Sequence, residues 1–284
     1  MKIFSIEGNW QHLDGGSMFG NAPKSMWGKW IESDSQNLIP LACRALLVQT
    51  DGKKNILFEV GIGAFFEPSL KERYGVEPEE HILLKNLSNI GIQEGDIDAV
   101  VLSHLHFDHA GGLLPAYGDT SRELVFPKAL YYVGKKHWEY AQNPHPREKA
   151  SFIPHLHDLL KKSGRMILFD QPQHKDLDFG LNFHYSDGHT IGMVISQVNL
   201  SSGPIIFVND LIPGNPWVHL PLTMGYDRFP ELKVDEKKRL YESVLDSHAK
   251  LFFTHDPIIP CVELKKDEKG KYSGEPIKLE SIKM

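Results

Sequence analysis

His104-Leu105-His106-Phe107-Asp108-His109, followed at once by Ala110-Gly111-Gly112, packs four potential metal ligands into six residues. Neutral imidazole and carboxylate are the nitrogen and oxygen donors that suit zinc, iron, manganese and nickel. Four such groups crowded together would repel one another and lose hydration unless a cation held them, so the run reads as a metal site. Just upstream, Ile97-Asp98-Ala99-Val100-Val101-Leu102-Ser103 is short, β-branched and largely apolar, the pattern of a buried strand. The donors therefore stand where a strand stops, on a loop carried by a rigid sheet. Gly111 and Gly112 then let the backbone pass close to the metals.

Three further strand ends each carry one candidate ligand: His189 in Ser186-Asp187-Gly188-His189-Thr190, Asp210 after Ile205-Ile206-Phe207-Val208-Asn209, and His255 after Leu251-Phe252-Phe253-Thr254. Alone, each reads as a loop or turn residue. Together with the first run they make seven donors, too many for one tetrahedral ion and right for two ions sharing a carboxylate and a water.

Strand-like runs recur at 45–49, 55–60, 166–169, 193–198, 204–208 and 250–253. Helix patterns fall between some of them. Residues 79–90 space Leu83, Leu87 and Ile90 along one face before Gly91, and residues 235–248 place Leu240, Val244 and Leu245 behind an acidic first turn. Strands with helices interspersed define an α/β layered domain. His155-Leu156-His157-Asp158 looks like a second donor cluster, but it lies in a helix pattern over 151–163, entered near Pro154 and ended at Gly164. Residues two apart on a helix face different ways, so these histidines read as structural, with His12, His137, His145 and His219. Residues 264–271 are lysine-rich but charge-mixed, and predict a solvated hairpin turning at Gly270.

The chain has 284 residues, 41% hydrophobic and 24% charged, which predicts an ordinary folded protein without low-complexity stretches. Its formal net charge of -6 argues against a nucleic-acid groove, which needs a basic surface. No run approaches the roughly 18 apolar residues of a membrane span, and Met1 to Glu7 lacks the apolar core of a secretory signal, so the expected location is the cytoplasm, with no membrane partner. Cys43 and Cys261 read as two reduced, buried thiols outside the site.

The pattern His-x-His-x-Asp-His, then a lone His, a lone Asp and a lone His, resembles the metallo-β-lactamase fold superfamily. Ser103 to Gly112 in particular resembles the N-acyl homoserine lactonase branch and its organophosphate hydrolase relatives, and the likeness extends through Gly188-His189-Thr190, Asp210-Leu211-Ile212-Pro213 and Thr254-His255-Asp256-Pro257. The resemblance implies an α/β fold, a four-layer αββα sandwich, with the whole chain, 1–284, as a single hydrolase domain and both metals at one edge of the two sheets. By motif, His104, His106 and His189 would hold one ion, Asp108, His109 and His255 the other, and Asp210 would bridge them. The ions implied are two divalent transition metals, zinc first, with iron, manganese or nickel as alternatives. Asp108 would also shuttle a proton to the leaving group.

This sequence departs from the family pattern in two places. Glu59 stands where relatives carry an aspartate that orients a metal-bound group, and its longer side chain can still reach. No tyrosine follows Asp210 closely, which leaves Tyr226 as the candidate to assist the substrate carbonyl. The segment Asp14-Gly15-Gly16-Ser17-Met18-Phe19-Gly20 resembles a loop that overhangs the metals in some relatives, with Met18 and Phe19 as an apolar wall for substrate. It is no phosphate cradle, because no Gly-Lys-Ser or Gly-Lys-Thr follows.

The chemistry implied is hydrolysis of an ester-type bond in a small molecule, a lactone first, by a hydroxide bridging two metals that lower the pKa of water. Phosphotriester or thioester hydrolysis is the alternative on the same metals. An iron-dependent redox role on this fold ranks below both, because His106 stands where flavodiiron-type members carry a glutamate. A binding protein would be expected to have lost ligands, and this chain keeps them all.

Overall fold

Ala99–Leu102, the strand predicted ahead of the histidine run, lies inside a six-stranded sheet with all four side chains buried. The computed structural model describes residues 1–121 and 123–279. Their contacts gather into two units, one of Met1–Gln11 with Ala42–Gln171, the other of His12–Leu41 with the residues from Pro172 onward.

In the first unit the strand order is Lys2–Glu7, Arg44–Gln49, Asn55–Phe58, Ala99–Leu102, Leu130–Gly134, Met166–Phe169. The first three run antiparallel and the rest parallel. Helices fill the long connections that parallel pairing requires: Pro68–Arg73 and Ile82–Asn89 before the central strand, Lys135–Ala141 and Pro154–Lys162 before the last. The last three of these helices pack Leu83, Leu87, Trp138, Leu156 and Leu160 with Leu47, Leu57, Val100, Leu102 and Tyr131 into one core.

The helix predicted over 79–90 begins only at Ile82. Asn9 explains the shift: its amide nitrogen donates to the carbonyls of Pro78 and Glu80, holding those residues out of the helix, while its oxygen accepts from the Ile82 amide as a remote cap. Leu83 and Leu87 are buried as expected, but Ile90 is the C-terminal cap and faces solvent, with Gly91 in the left-handed region at φ 81°.

Pro154–Lys162 is the helix the proline predicted, and it separates the two decoy histidines: His157 is buried and His155 exposed. The His157 ring packs 5.5 Å from Trp138 and 6.0 Å from Phe152. Burial, reinforced by Lys161, pushes its pKa down from the ordinary imidazole value to about 4. Below the unfolded value near 6.5, the unfolded chain gains a proton that the folded chain refuses until about pH 4. Stability is therefore lost as pH falls through that window, by roughly 2 kcal/mol between pH 7 and pH 5. His157→Leu should remove this part of the acid sensitivity. Urea titrations of both proteins at the two pH values check it, and an unchanged difference would exclude His157 as its source.

In the second unit the sheet order is Tyr272–Pro276, Cys261–Lys266, Lys250–Phe252, Ile205–Phe207, Met193–Val198, Leu181–Ser186. Only Ile205–Phe207 and Lys250–Phe252 pair in parallel, and the helix Pro230–Ser247 makes the crossover. That helix starts five residues before the pattern predicted, with Pro230 in the first turn where its missing N–H costs nothing. The predicted hairpin at 264–271 forms, with Asp267 accepting from the Lys269 and Lys271 amides and Gly270 at φ 78°.

The core of this unit centres on Phe19, stacked between Trp217 at 4.4 Å and Trp27 at 5.2 Å. Each such pair contributes about 0.5–1.5 kcal/mol beyond burial. Lys237 is also fully buried. Its ammonium donates to the carbonyls of Trp217, His219 and Leu222 at 2.7, 2.9 and 3.0 Å, so all three protons are used. Burial, with Lys233 nearby, still holds its pKa well below the usual lysine value. Cys43 and Cys261 are buried thiols, and burial pushes the Cys261 thiol up to about 12, which leaves it inert. Among the described residues no helix is long and apolar enough to cross a membrane.

Candidate metal centre

The first unit delivers its donors immediately beyond Ala99–Leu102. Ser103, His104, Leu105 and His106 follow, then the single turn Phe107–Ala110 carrying Asp108 and His109. Gly112 closes the segment by lying against the end of the neighbouring strand, where a Cβ would stand 2.0 Å from the Val60 carbonyl oxygen. Only glycine fits there. The close approach expected of Gly111 and Gly112 is thus made to the Val60–Ile62 backbone, and it fixes the helical turn from behind.

Within this unit His104 Nε2 and His106 Nδ1 are 3.1 Å apart, the His104 and His109 rings are 4.0 Å apart, and His109 Nε2 lies 3.8 Å from Asp108 Oδ1. The other nitrogen of each ring faces outward to a fixed partner: His104 Nδ1 to the Ser103 hydroxyl at 2.8 Å, His106 Nε2 to Glu148 at 3.3 Å, and His109 Nδ1 to Glu59 at 2.7 Å. Glu148 is in turn held by the Tyr140 hydroxyl. The Glu59 carboxylate also accepts from the Ser103 amide, so the longer side chain does reach. It does so from a left-handed backbone at φ 64°, an unfavourable place for a non-glycine residue that the surrounding bonds maintain. His137 accepts from the Leu105 amide between the two histidines, and Gln11 donates to Asp108 Oδ2 at 2.7 Å.

In the second unit, Asp210 places Oδ2 at 3.1 Å from His189 Nε2 and Oδ1 at 3.2 Å from His255 Nε2. Each residue is locked by its loop. Asn209, at φ 45°, turns the chain at the strand end and donates to the Val194 and Phe207 carbonyls. Asp256, next to His255, accepts from the amides of Asn215, Ile258 and Ile259. His189 Nδ1 meets Asp227 Oδ1 at 2.9 Å. Burial alone would raise the Asp227 pKa, but Lys233 and the His189 bond outweigh it and hold the carboxyl below the usual range.

These bonds assign the tautomers. In a neutral imidazole, the ring nitrogen facing a carboxylate donates its N–H to it, which leaves His106 Nδ1, His109 Nε2 and His189 Nε2 as lone pairs. The His189 lone pair then points at a carboxylate oxygen 3.1 Å away, an arrangement that calls for a cation between them. Ligands of a tetrahedral ion with bonds near 2.05 Å sit roughly 3.3 Å apart, close to the donor separations within each unit. All seven residues fall in groups of donors that could hold a metal ion.

Tyr226 lies 42% exposed on the turn before Asp227. Arg228 and Phe229, on the same loop, donate their amides to the His189 and Gly188 carbonyls. Met18 and Phe19 are buried: Phe19 is the middle of the aromatic stack, and the Met18 carbonyl accepts from the Trp217 indole. His155 and His157 are not among the donors. Gln11, Glu148, Asp227 and Lys233, and the supporting role of His137, are not legible in the sequence, because no local spacing links any of them to the groups they hold.

Residues 38–255 match the profile of the metallo-beta-lactamase superfamily, and the chain belongs to that superfamily. An N-acyl homoserine lactonase of Bacillus thuringiensis is 26% identical over 216 residues, 74% of this chain and 76% of that protein. Cytochrome P450 monooxygenase mpaDE of Penicillium roqueforti is 24% identical over 220 residues, 69% of this chain, which spans only 24% of that longer protein. A solved structure, a probable metal-dependent hydrolase from Staphylococcus aureus, superposes with a TM-score of 0.86 at 25% identity, covering 98% of this chain and 97% of that one. The chain has the metallo-β-lactamase fold and is a metal-dependent hydrolase of that superfamily.

Proposed function

We propose that this hydrolase opens the ester-type bond of a small molecule, a lactone first, with two divalent transition-metal ions, zinc first, held by His104, His106, Asp108, His109, His189, Asp210 and His255. The observation that carries the reading is Asp210, which sets one oxygen against each of two histidine nitrogens while His189 has its proton committed to the opposite side. That is the posture of a carboxylate shared between ions. His104, His106 and His189 are assigned to one ion, Asp108, His109 and His255 to the other, with Asp210 common to both. In this proposal the whole chain, 1–284, works as one hydrolase domain.

Ions bound there would lower the pKa of water and polarise the substrate carbonyl. Glu59, Glu148 and Asp227 hold three imidazoles in the ligating tautomer and orientation, so little reorganisation is needed when charge develops. Asp108 carries the proton to the departing oxygen, with Gln11 fixing one of its carboxylate oxygens. Tyr226 assists the carbonyl from the loop that braces His189. Met18 and Phe19, anchored by the tryptophans, back an apolar wall toward the acyl part of the substrate. The cytoplasm is the site of action in this proposal, with the buried Cys43 and Cys261 thiols reduced.

A hydrolysis screen of lactones, aryl esters, thioesters and phosphotriesters with metal-reconstituted protein tests the assignment. The highest kcat/KM is expected on a lactone. A phosphotriester or thioester preferred by an order of magnitude would transfer the assignment to the alternative chemistry, and inactivity on all four would contradict it.

A further inference from the structure

We propose that Lys233, a fully buried lysine of the helix Pro230–Ser247, is the positioning residue that fixes His189 for metal binding, acting through Asp227. The inference rests on the reading of His189 as a ligand. Lys233 Nζ donates to Asp227 Oδ1 at 2.8 Å, and the same oxygen lies 2.9 Å from His189 Nδ1. The other oxygen, Oδ2, accepts from the Met224 amide at 2.7 Å. Asp227 therefore has both oxygens committed and cannot turn, and the imidazole opposite it can hold only one orientation.

The same helix grips the rest of the His189 loop. Glu236 accepts from the Ser186 hydroxyl at 2.6 Å and from the Asp187 and Gly188 amides at 2.9 and 3.1 Å. Gly188 is pressed against Lys233 itself, since a Cβ there would lie 2.6 Å from the Lys233 Cα. Phe229, whose amide donates to the Gly188 carbonyl, accepts in turn from the Lys233 amide. The helix thus holds this loop by backbone, by Glu236 and by the ammonium–carboxylate–imidazole line.

A buried ammonium is costly to desolvate, and a methionine or leucine would fill the same volume without that cost. Lys237, one turn further on, shows what a buried lysine does here when it only braces structure: it gives its protons to three backbone carbonyls and reaches no donor residue. The two lysines share a helix and full burial, and differ in whom they hold. If Lys233 were merely another brace, removing either should have the same consequences.

The test compares Lys233→Met and Lys237→Met with wild type. Four readouts apply: zinc affinity by chelator competition, elemental stoichiometry, the visible spectrum of the cobalt(II)-loaded protein, and the Tm of the metal-free form. Both variants should lower that Tm. Lys233→Met should weaken one of the two ions by roughly 10–100-fold, the usual scale for a group supporting a ligand, and change the cobalt spectrum. Lys237→Met should leave affinity and spectrum at the wild-type values. If Lys233→Met does not fold, Asp227→Asn, which keeps the packing, should show the same selective loss of one ion. Wild-type affinity and spectrum in a folded Lys233→Met or Asp227→Asn protein would overturn the inference, as would equal metal loss in Lys237→Met. Wild-type protein that binds no metal would instead remove the metal centre itself, a failure visible before any variant is made.

Discussion

Asp108→Asn should lower kcat on an alkyl lactone by roughly 10²–10⁴ while leaving the protein folded. The amide is isosteric and can still accept a weak ligand bond, but it carries no charge and cannot relay a proton. The proposal gives Asp108 both tasks, with Gln11 on Oδ2 at 2.7 Å and Oδ1 3.8 Å from His109 Nε2. The loss should depend on the leaving group. A p-nitrophenolate departs with little need of protonation, so p-nitrophenyl esters should lose a smaller factor than the alkyl lactone. The comparison requires kcat for both substrates in both proteins at equal metal loading. Equal losses would remove the proton-transfer role and leave Asp108 as a ligand, and an undiminished rate would refute its place in the hydrolysis.

Asp210→Ala should be more severe for metal binding, since the carboxylate is assigned to both ions. His189 and His255 each lose the oxygen now 3.1 and 3.2 Å from their Nε2 atoms. Both ions should weaken, and kcat on any hydrolysed substrate should fall by on the order of 10³ or more, the equivalent of several kcal/mol of lost electrostatic stabilisation. The double variant His155→Ala with His157→Ala is the control. It removes two histidines of similar spacing from the helix Pro154–Lys162 and should keep the full metal content, although losing the buried His157 ring should lower Tm. Retention of both ions by Asp210→Ala, or metal loss in the control as severe as in Asp210→Ala, would show that the donors are misassigned.

The seven candidate donors were legible in the sequence because each stands at a strand end that β-branched, apolar runs announce, and because four of them sit within one run. The strand ending in Leu102 and the helix begun by Pro154 follow from local pattern in the same way. What could not be read is tertiary. Leu181–Ser186 and Lys2–Glu7 mix buried with exposed positions and offer no continuous apolar run, so neither stood out as a strand. On the helix Pro230–Ser247 the fully buried residues include Lys233, Lys237 and Tyr241 beside Val244. A hydrophobic stripe finds Val244 and passes over the lysines, whose burial makes sense only once Asp227 and the carbonyls of Trp217, His219 and Leu222 are in place. Glu59 was suspected from the family pattern. That it bonds both the His109 ring and the Ser103 amide from a left-handed backbone is a matter of structure. Glu148 and Asp227 lie 42 and 38 residues from the histidines they orient, beyond any motif.

The central claim is that the seven donors hold two ions. Metal-free protein should be reconstituted with zinc, freed of excess by gel filtration and measured by elemental analysis against protein concentration. Two ions per chain are expected. A ratio that never exceeds one at saturating zinc would contradict the shared role of Asp210, and a ratio of zero would contradict the metal centre as a whole.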